Sequence, residues 1–392
     1  TWLIGCGPVA AVSPMIAHIL GGHPKDRAGV RAATRMGFWS VMILSVPLVG
    51  FLLMSRRTLL FLGQTPELAY DASLFVTALC WGLPFSLGYQ VLRNFSTALS
   101  KPNASMWVMG LAIFFNAAGD YGLIFGHFGL PRLGLIGSGL SSACSYTFSF
   151  VAMVIVVWLT PSLRQYRIFR RFHRPHLEKL WEVFRLGMPI GMTMIFEAML
   201  FNSATLIMGT FGTVAIAAHM IAINVPSITF MVPLGIGMAS TVRVGLAAGA
   251  RDGEAVRRAG WSAIGIAAAF MTLTGVLLWL YPDRIAALYF ADTKANADVI
   301  ALAVTFLHVA AIFQIVDGIQ VTGALSLRGL KDARAPMWIA GGSYWLAGFP
   351  ACRLFAFAFH MKGLGIWIGL ALGLLVAAVT MCWRFWYLSR SR

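Results

Sequence analysis

Residues 299–326 read VIALAVTFLHVAAIFQIVDGIQVTGALS, a stretch in which Asp317 is the only Asp, Glu, Lys or Arg. A run of about 20 apolar residues crosses the hydrocarbon core of a bilayer as an α-helix. The same reading carried outward gives ten further spans, near 1–20, 34–55, 72–99, 104–126, 134–160, 184–209, 214–247, 259–281, 336–359 and 364–388. The connections are short apart from a basic segment at 161–183, so no water-soluble domain has room to fold. The fold class that follows is an all-α integral membrane protein, a polytopic helix bundle. Composition agrees. Charged residues make up 11% of the 392 and mean hydropathy is +0.78, against about 25% charged in a soluble domain.

The net charge of +16 would point to nucleic acid in a soluble protein. Here the Lys and Arg residues fall in alternate loops: 21–35, 93–101, 161–185, 243–258, 328–334 and the C-terminus. The segment 161–185 alone carries Arg164, Arg167, Arg170, Arg171, Arg174, Lys179 and Arg185, while the opposite loops hold only Arg56, Arg57, Arg132, Arg284, Lys294, Arg353 and Lys362. The richer side is cytoplasmic by the positive-inside rule, which puts the C-terminus inside and makes the bilayer, not nucleic acid, the partner. Cys6, Cys80, Cys144, Cys352 and Cys382 lie in apolar stretches without paired spacing, and read as packing residues. No phosphate-loop, dinucleotide or structural-metal motif stands in a usable context, and no His and acid constellation converges for catalysis. The chain therefore reads as a transporter and not an enzyme, with no cofactor.

An internal repeat organises the spans. Gln90-Val91 matches Gln320-Val321, Lys101 matches Lys331, Met106-Trp107 matches Met337-Trp338, Leu133-Gly134 matches Leu364-Gly365, and Gly22 matches Gly249. The offset stays close to 230, so the halves are parallel copies. An N-terminal lobe at 1–160 holds five spans, 161–183 is a cytoplasmic linker, and a C-terminal lobe at 184–392 holds six. The span at 184–209 has no counterpart in the first lobe, so a further helix preceding residue 1 is expected. Two such lobes rocking about a central site give alternating access.

Fourteen acidic residues are present, and three of them, Asp120, Glu197 and Asp317, lie inside spans. A carboxylate at bilayer depth costs roughly 3 kcal/mol or more, so it faces the interior and marks an ion path, or stays protonated as helix glue. Gln314, Asp317 and Gln320 at three-residue spacing predict one polar stripe. A carboxyl in low dielectric is satisfied by a proton, a metal cation or a cationic substrate, but not by all together. Asn202 and Asn224 read equally as neutral ligand oxygens or as interhelical hydrogen-bonding groups. Asn116 and His219 read as packing and hydrogen-bonding residues. Pro189, Pro226 and Pro233 interrupt helical hydrogen bonds, as hinges or as static kinks.

Several of these residues form a known pattern. Phe196-Glu197, Leu200-Phe201, Ala217-Ala218-His219, Asn224, Phe230-Met231-Val232-Pro233 and Arg243-Val244-Gly245 resemble the MATE (multidrug and toxic compound extrusion) family, in its NorM-like branch. Asp317-Gly318-Ile319-Gln320-Val321 and Ser326 through Asp332 resemble its later segment; Pro14, Ala17, Asn116, Gly126, Gly129, Pro131, Gly134 and Gly137 fit the first lobe. The resemblance covers the whole chain. It implies a monomeric antiporter of the bacterial inner membrane that exports cationic, lipophilic small molecules against inflow of Na⁺ or H⁺. It also implies that Glu197 and Asp317 form the second-lobe cation site, a possible Na⁺ site, with no structural metal. Three departures stand out: His18 and Met220 where that branch usually has Gln, and Phe313 where a Tyr often precedes Asp317 by four. The alternative is a lipid-linked precursor flippase of a related two-lobe fold, which would need several basic residues in its cavity; only Arg353 sits clearly inside a span.

Overall fold

The computed structural model describes residues 2–61, 63–170, 172–173, 175–289 and 296–390. Arg171, Arg174, Lys294 and Arg392, counted in the charge pattern, lie outside the described residues.

All the regular structure among the described residues is helical. The elements run α1 (Trp2–Ala10), α2 (Val12–Gly22), α3 (Arg27–Leu53), α4 (Ser55–Phe61), α5 (Pro66–Cys80), α6 (Leu83–Ala98), α7 (Asn103–Phe125), α8 (Leu135–Leu159), α9 (Pro161–Arg164), α10 (Leu177–Gly209), α11 (Thr213–Thr229), α12 (Met231–Gly249), α13 (Gly253–Leu280), α14 (Pro282–Ala287), α15 (Ala297–Gly329), α16 (Arg334–Gly342), α17 (Phe349–Arg353) and α18 (Lys362–Arg390). Among the described residues, nine helical stretches are long and apolar enough to cross a bilayer, and α5 with α6, bent by 46°, makes a tenth. The eleventh expected span, near 336–359, is not one α-helix: π-helical turns at Ser343–Gly348 and Leu354–Ala358 interrupt it.

The chain divides into two compact units, Thr1–Gly191 and Met192–Arg392. The division runs through α10, so the basic 161–183 segment belongs to the first unit.

The repeat seen in the sequence recurs as matched local geometry. Asp26 and Asp252 each cap a helix, accepting from the amides of Gly29 (2.8 Å) and Ala255 (2.9 Å), a contact worth about 1 kcal/mol. Val30 and Val256, four residues on, are both fully buried. Further along each lobe, Ser100 and Lys331 both take φ 59°, one residue off the Lys101–Lys331 pairing read from the sequence. Their followers close the same reversal, Lys101 N–H donating to Ser96 O and Asp332 N–H to Leu327 O. Trp107 and Trp338, paired by the repeat, are exposed at 69% and 72%. Trp at matched exposed positions is the pattern of residues resting at a membrane interface.

In the first unit, α7 and α5 pack on α8, and α6 on α3 and α8. A Cβ on Gly7 would meet the carbonyl of Gly187, and one on Gly187 would meet Pro8, so α1 and the start of α10 touch backbone to backbone. In the second unit, α15 is the hub and packs against α11, α12, α13 and α18. Trp367 is fully buried there, with Phe313 edge-on at 5.6 Å between ring centroids and His219 at 5.7 Å.

The π-interrupted stretch is received by a strip of glycines on α18. Gly365, Gly369 and Gly373 recur every four residues and so lie on one face. A Cβ on each would meet the Ala356 amide, the Cys352 amide, and Gly348 Cα at 2.8 Å respectively. In lipid, where hydrophobic burial does not drive helices together, such close backbone approach supplies the contact energy. Gly369→Ala is therefore expected to destabilise by about 1–3 kcal/mol through overpacking. Gly265→Ala on α13, where a Cβ meets nothing within 4 Å, is expected to be neutral or stabilising by up to ~1 kcal/mol. Thermal unfolding midpoints of the two variants in detergent check the contrast.

Candidate functional site

The second unit brings Glu197 and Asp317 into one electrostatic environment with two residues that sequence reading did not select, Arg328 and Tyr344. Each comes from a defined place. Glu197 lies on α10, beside Phe196, whose ring lies 3.2 Å from where a Cβ on Gly341 of α16 would sit. Asp317 lies on α15, next to Gly318, whose missing Cβ leaves room for Met271 of α13 and Pro233 of α12. Arg328 stands in the last turn of α15, where the sequence reading had placed it in a loop. The helix runs past its apolar stretch, because Gly329 lets α15 approach the Thr241 carbonyl of α12 at 2.8 Å from the would-be Cβ. Tyr344 lies on the first π-helical turn and is fully buried.

The hydrogen-bond inventory sorts these groups. Asp317 is only 5% exposed, and its Oδ1 is buried without a partner; the Tyr344 hydroxyl is likewise buried and unpartnered. Such groups cost on the order of 1–3 kcal/mol each, more when charged. Glu197 is half-buried. Two carboxyls with one guanidinium in reach carry one more negative than positive charge when both ionise. One further cation, or one proton, balances the set.

The predicted polar stripe of Gln314, Asp317 and Gln320 opens into a fan. Each three-residue step falls short of a full turn by about 60°, so the side chains serve three directions. Gln314 Nε2 donates to the Met271 carbonyl (3.2 Å) and Thr274 Oγ1 (3.1 Å) on α13, and its Oε1 accepts from Thr229 on α11 (3.0 Å). Gln320 Nε2 turns to Met381 Sδ on α18 at 3.8 Å. Asp317, between them, is left toward the carboxylate site. Gln314 is thus a strut between helices, with its amide already engaged.

The other predicted residues have contacts of their own. Asn202, one and a half turns beyond Glu197, is exposed and donates to Ala198 O of its own helix at 2.7 Å. Asn224 is exposed and accepts from the Tyr289 hydroxyl at 3.3 Å. Asp120 belongs to the first unit, near the end of α7, with Oδ1 buried and unpartnered. Asn116, one turn earlier, exchanges hydrogen bonds with Ser141 of α8 at 3.2–3.3 Å. His219 is fully buried against Trp367 and lies 3.1 Å from Thr205 Oγ1. Pro226 and Pro233 flank Phe230, where α11 stops and α12 starts. Their missing amides remove two helical hydrogen bonds around that residue. Pro189 is buried inside the continuous α10. Phe313 fills its position with apolar packing, edge-on to Phe201 and Trp367. Arg353, the one basic residue assigned to a span interior, is exposed.

A bundle of apolar helices in two repeated units, with a buried and a half-buried carboxyl brought together in one, fits a multi-pass membrane transporter. The MatE family profile matches residues 1–121 and 189–354, and the chain belongs to that family. It is 43% identical over 384 residues to the probable multidrug resistance protein NorM of Brucella suis, covering 98% of this chain and 82% of that one. The probable multidrug resistance protein NorM of Mesorhizobium japonicum is 43% identical over 385 residues, with the same coverages. A crystal structure of MATE in the bent conformation superposes with a TM-score of 0.87 at 18% identity, over 99% of this chain and 84% of that one. At that identity the likeness shows the two-lobe fold.

The strut role of Gln314 has its own test. Gln314→Leu removes the links to Thr229, Thr274 and the Met271 carbonyl, while both hydroxyls keep a carbonyl of their own helix, and is expected to cost about 1 kcal/mol of stability. The ion dependence of whatever transport survives is expected to stay as in the wild type. A shifted ion preference with an unchanged unfolding midpoint would make Gln314 a ligand instead.

Proposed function

We propose that the chain is a multidrug efflux antiporter, exporting cationic lipophilic compounds in exchange for Na⁺ or H⁺, with Glu197 and Asp317 as the shared cation site. The observation that carries this reading is the buried, unpartnered Oδ1 of Asp317 beside a second carboxyl. A carboxyl pair in that setting demands positive charge, and a proton, a sodium ion or a cationic drug each meets the demand. Ligands that compete for one pair of acids displace one another, and that competition is what exchange across a membrane requires. The flippase alternative needs a basic interior for phosphates; in the second unit only Arg328 accompanies the two acids.

The names of the related NorM proteins support drug cargo. The break at Phe230, between Pro226 and Pro233, supports a helix that changes angle close to Asp317 through the Gly318 contact with Pro233. The basic-residue bias supports insertion in a bacterial inner membrane with the C-terminus cytoplasmic. The working unit of this reading is a monomer.

Ethidium efflux from energised cells tests the assignment. Glu197→Gln and Asp317→Asn, expressed at normal levels, are each expected to lower efflux about tenfold or more. A sodium gradient at clamped pH that drives efflux names Na⁺; a proton gradient that suffices without sodium names H⁺. Wild-type rates in both variants would make these acids structural and move the coupling site to Asp120.

A further inference from the structure

The segment joining the two repeats is a bound element of the first unit. Leu163, Tyr166 and Ile168 are buried, while Arg164, Arg167, Phe169 and Arg170 alternate with them on the exposed side. Anchors come from α3 and α6. Arg35 donates to Arg170 O (3.3 Å), Trp39 Nε1 donates to Phe172 O (3.1 Å), and Phe95 meets the Tyr166 ring edge-on at 5.8 Å. The chain that carries Arg164, Arg167 and Arg170 is therefore anchored to the first unit.

Between residues 160 and 176 stand five arginines and no carboxylate. The nearest following acids are Glu178 and Glu182, and Glu182 already pairs with Lys179 at 3.3 Å. Arg164 lies 5.5 Å over the ring of Trp158, which is 62% exposed at the end of α8. A tryptophan beside an arginine at a helix end marks the depth of lipid headgroups. Next to this pair is a cavity of 280 Å³ lined by Ser100, Lys101, Asn103, Thr160 and Leu163 among others. Its lining offers one ammonium, two hydroxyls and an amide, and no acid.

We propose that this cavity, with Arg164 following its lining residue Leu163 and Arg167 one turn further along the chain, is a binding site for the phosphate headgroup of an anionic phospholipid, in the leaflet that the basic-residue bias makes cytoplasmic. The built features match that ligand in turn. Lys101 and the hydroxyls meet the phosphate, the arginines of the adjoining segment supply the field that prefers an anionic lipid over a zwitterionic one, and exposed Trp158 and Phe169 border acyl chains.

The test uses the full chain in detergent with phosphatidylglycerol or phosphatidylcholine, bound lipid being counted by native mass spectrometry. The wild type is expected to retain phosphatidylglycerol about tenfold over phosphatidylcholine. Lys101→Gln/Arg164→Gln/Arg167→Gln is expected to lose that preference, whereas Arg164→Lys/Arg167→Lys keeps it. Arg251→Gln/Arg257→Gln removes exposed charge from the second unit, in another of the basic loops, and is expected to leave the preference intact. Because the substituted side chains are exposed, unfolding midpoints are expected to be unchanged. Undiminished preference in the triple variant overturns the proposal. So does equal loss in the Arg251/Arg257 variant, which would assign the effect to bulk charge. Displacement of the lipid by inorganic phosphate overturns it too, by making the cavity a free-anion site.

Discussion

Hydrocarbon offers no hydrogen bonds, and that deficit governs the architecture from backbone to site. Inside a bilayer every amide and carbonyl must be satisfied by the chain itself, which leaves helices as the building material. Departures from regular helix are few and placed. At Phe230 the missing amides of Pro226 and Pro233 take the usual helical donor from the carbonyls of Ala222 and Thr229. At the π-helical turns, the backbone lies against the glycine strip of α18. Some side-chain groups stay unanswered: Asp317 and Asp120 each keep one buried carboxyl oxygen without a partner, as does the Tyr344 hydroxyl.

The two units treat their intramembrane acids unequally. In the second, Glu197, Asp317, Arg328 and Tyr344 share one neighbourhood, and Gln314 ties three helices around it. In the first, Asp120 stands near a helix end behind the Asn116–Ser141 pair. On the proposed function, a cation bound in the second unit would change the charge balance of a group that already contains its own guanidinium, that of Arg328.

Much of this was legible in the sequence, and the failures have physical reasons. Helix positions followed from unbroken apolar runs, because length and hydropathy suffice when lipid is the solvent. The repeat followed from a handful of matched residues, and the matched caps at Asp26 and Asp252 agree with it to within a few positions. Arg328 was missed because a basic residue after an apolar run reads as a loop; only the close approach at Gly329 shows the helix continuing. Tyr344 was missed because a π-helical turn leaves no mark in composition. Gln314, Asp317 and Gln320 were read as one stripe, although three-residue spacing rotates steadily away from a single face. Asn202 and Asn224 were chosen by residue type, and type says nothing of direction.

The bend between α5 and α6 has a meaning of another sort. By the register of the repeat, Trp81 and Gly82 correspond to Ala311 and Ile312, which lie in the unbroken middle of α15. One ancestral helix has thus become a jointed rod in one copy and a straight one in the other. Their outer halves have also parted: α5 buries only Ala69 and Cys80, whereas 297–310 buries Ala303, Phe306, Leu307 and Ala310. A residue facing fluid lipid needs only to be apolar, while one in a close-packed interior must also fit. Inherited variation should therefore accumulate in the jointed copy and be purged from the straight one. The two helices that began as duplicates now answer to different constraints.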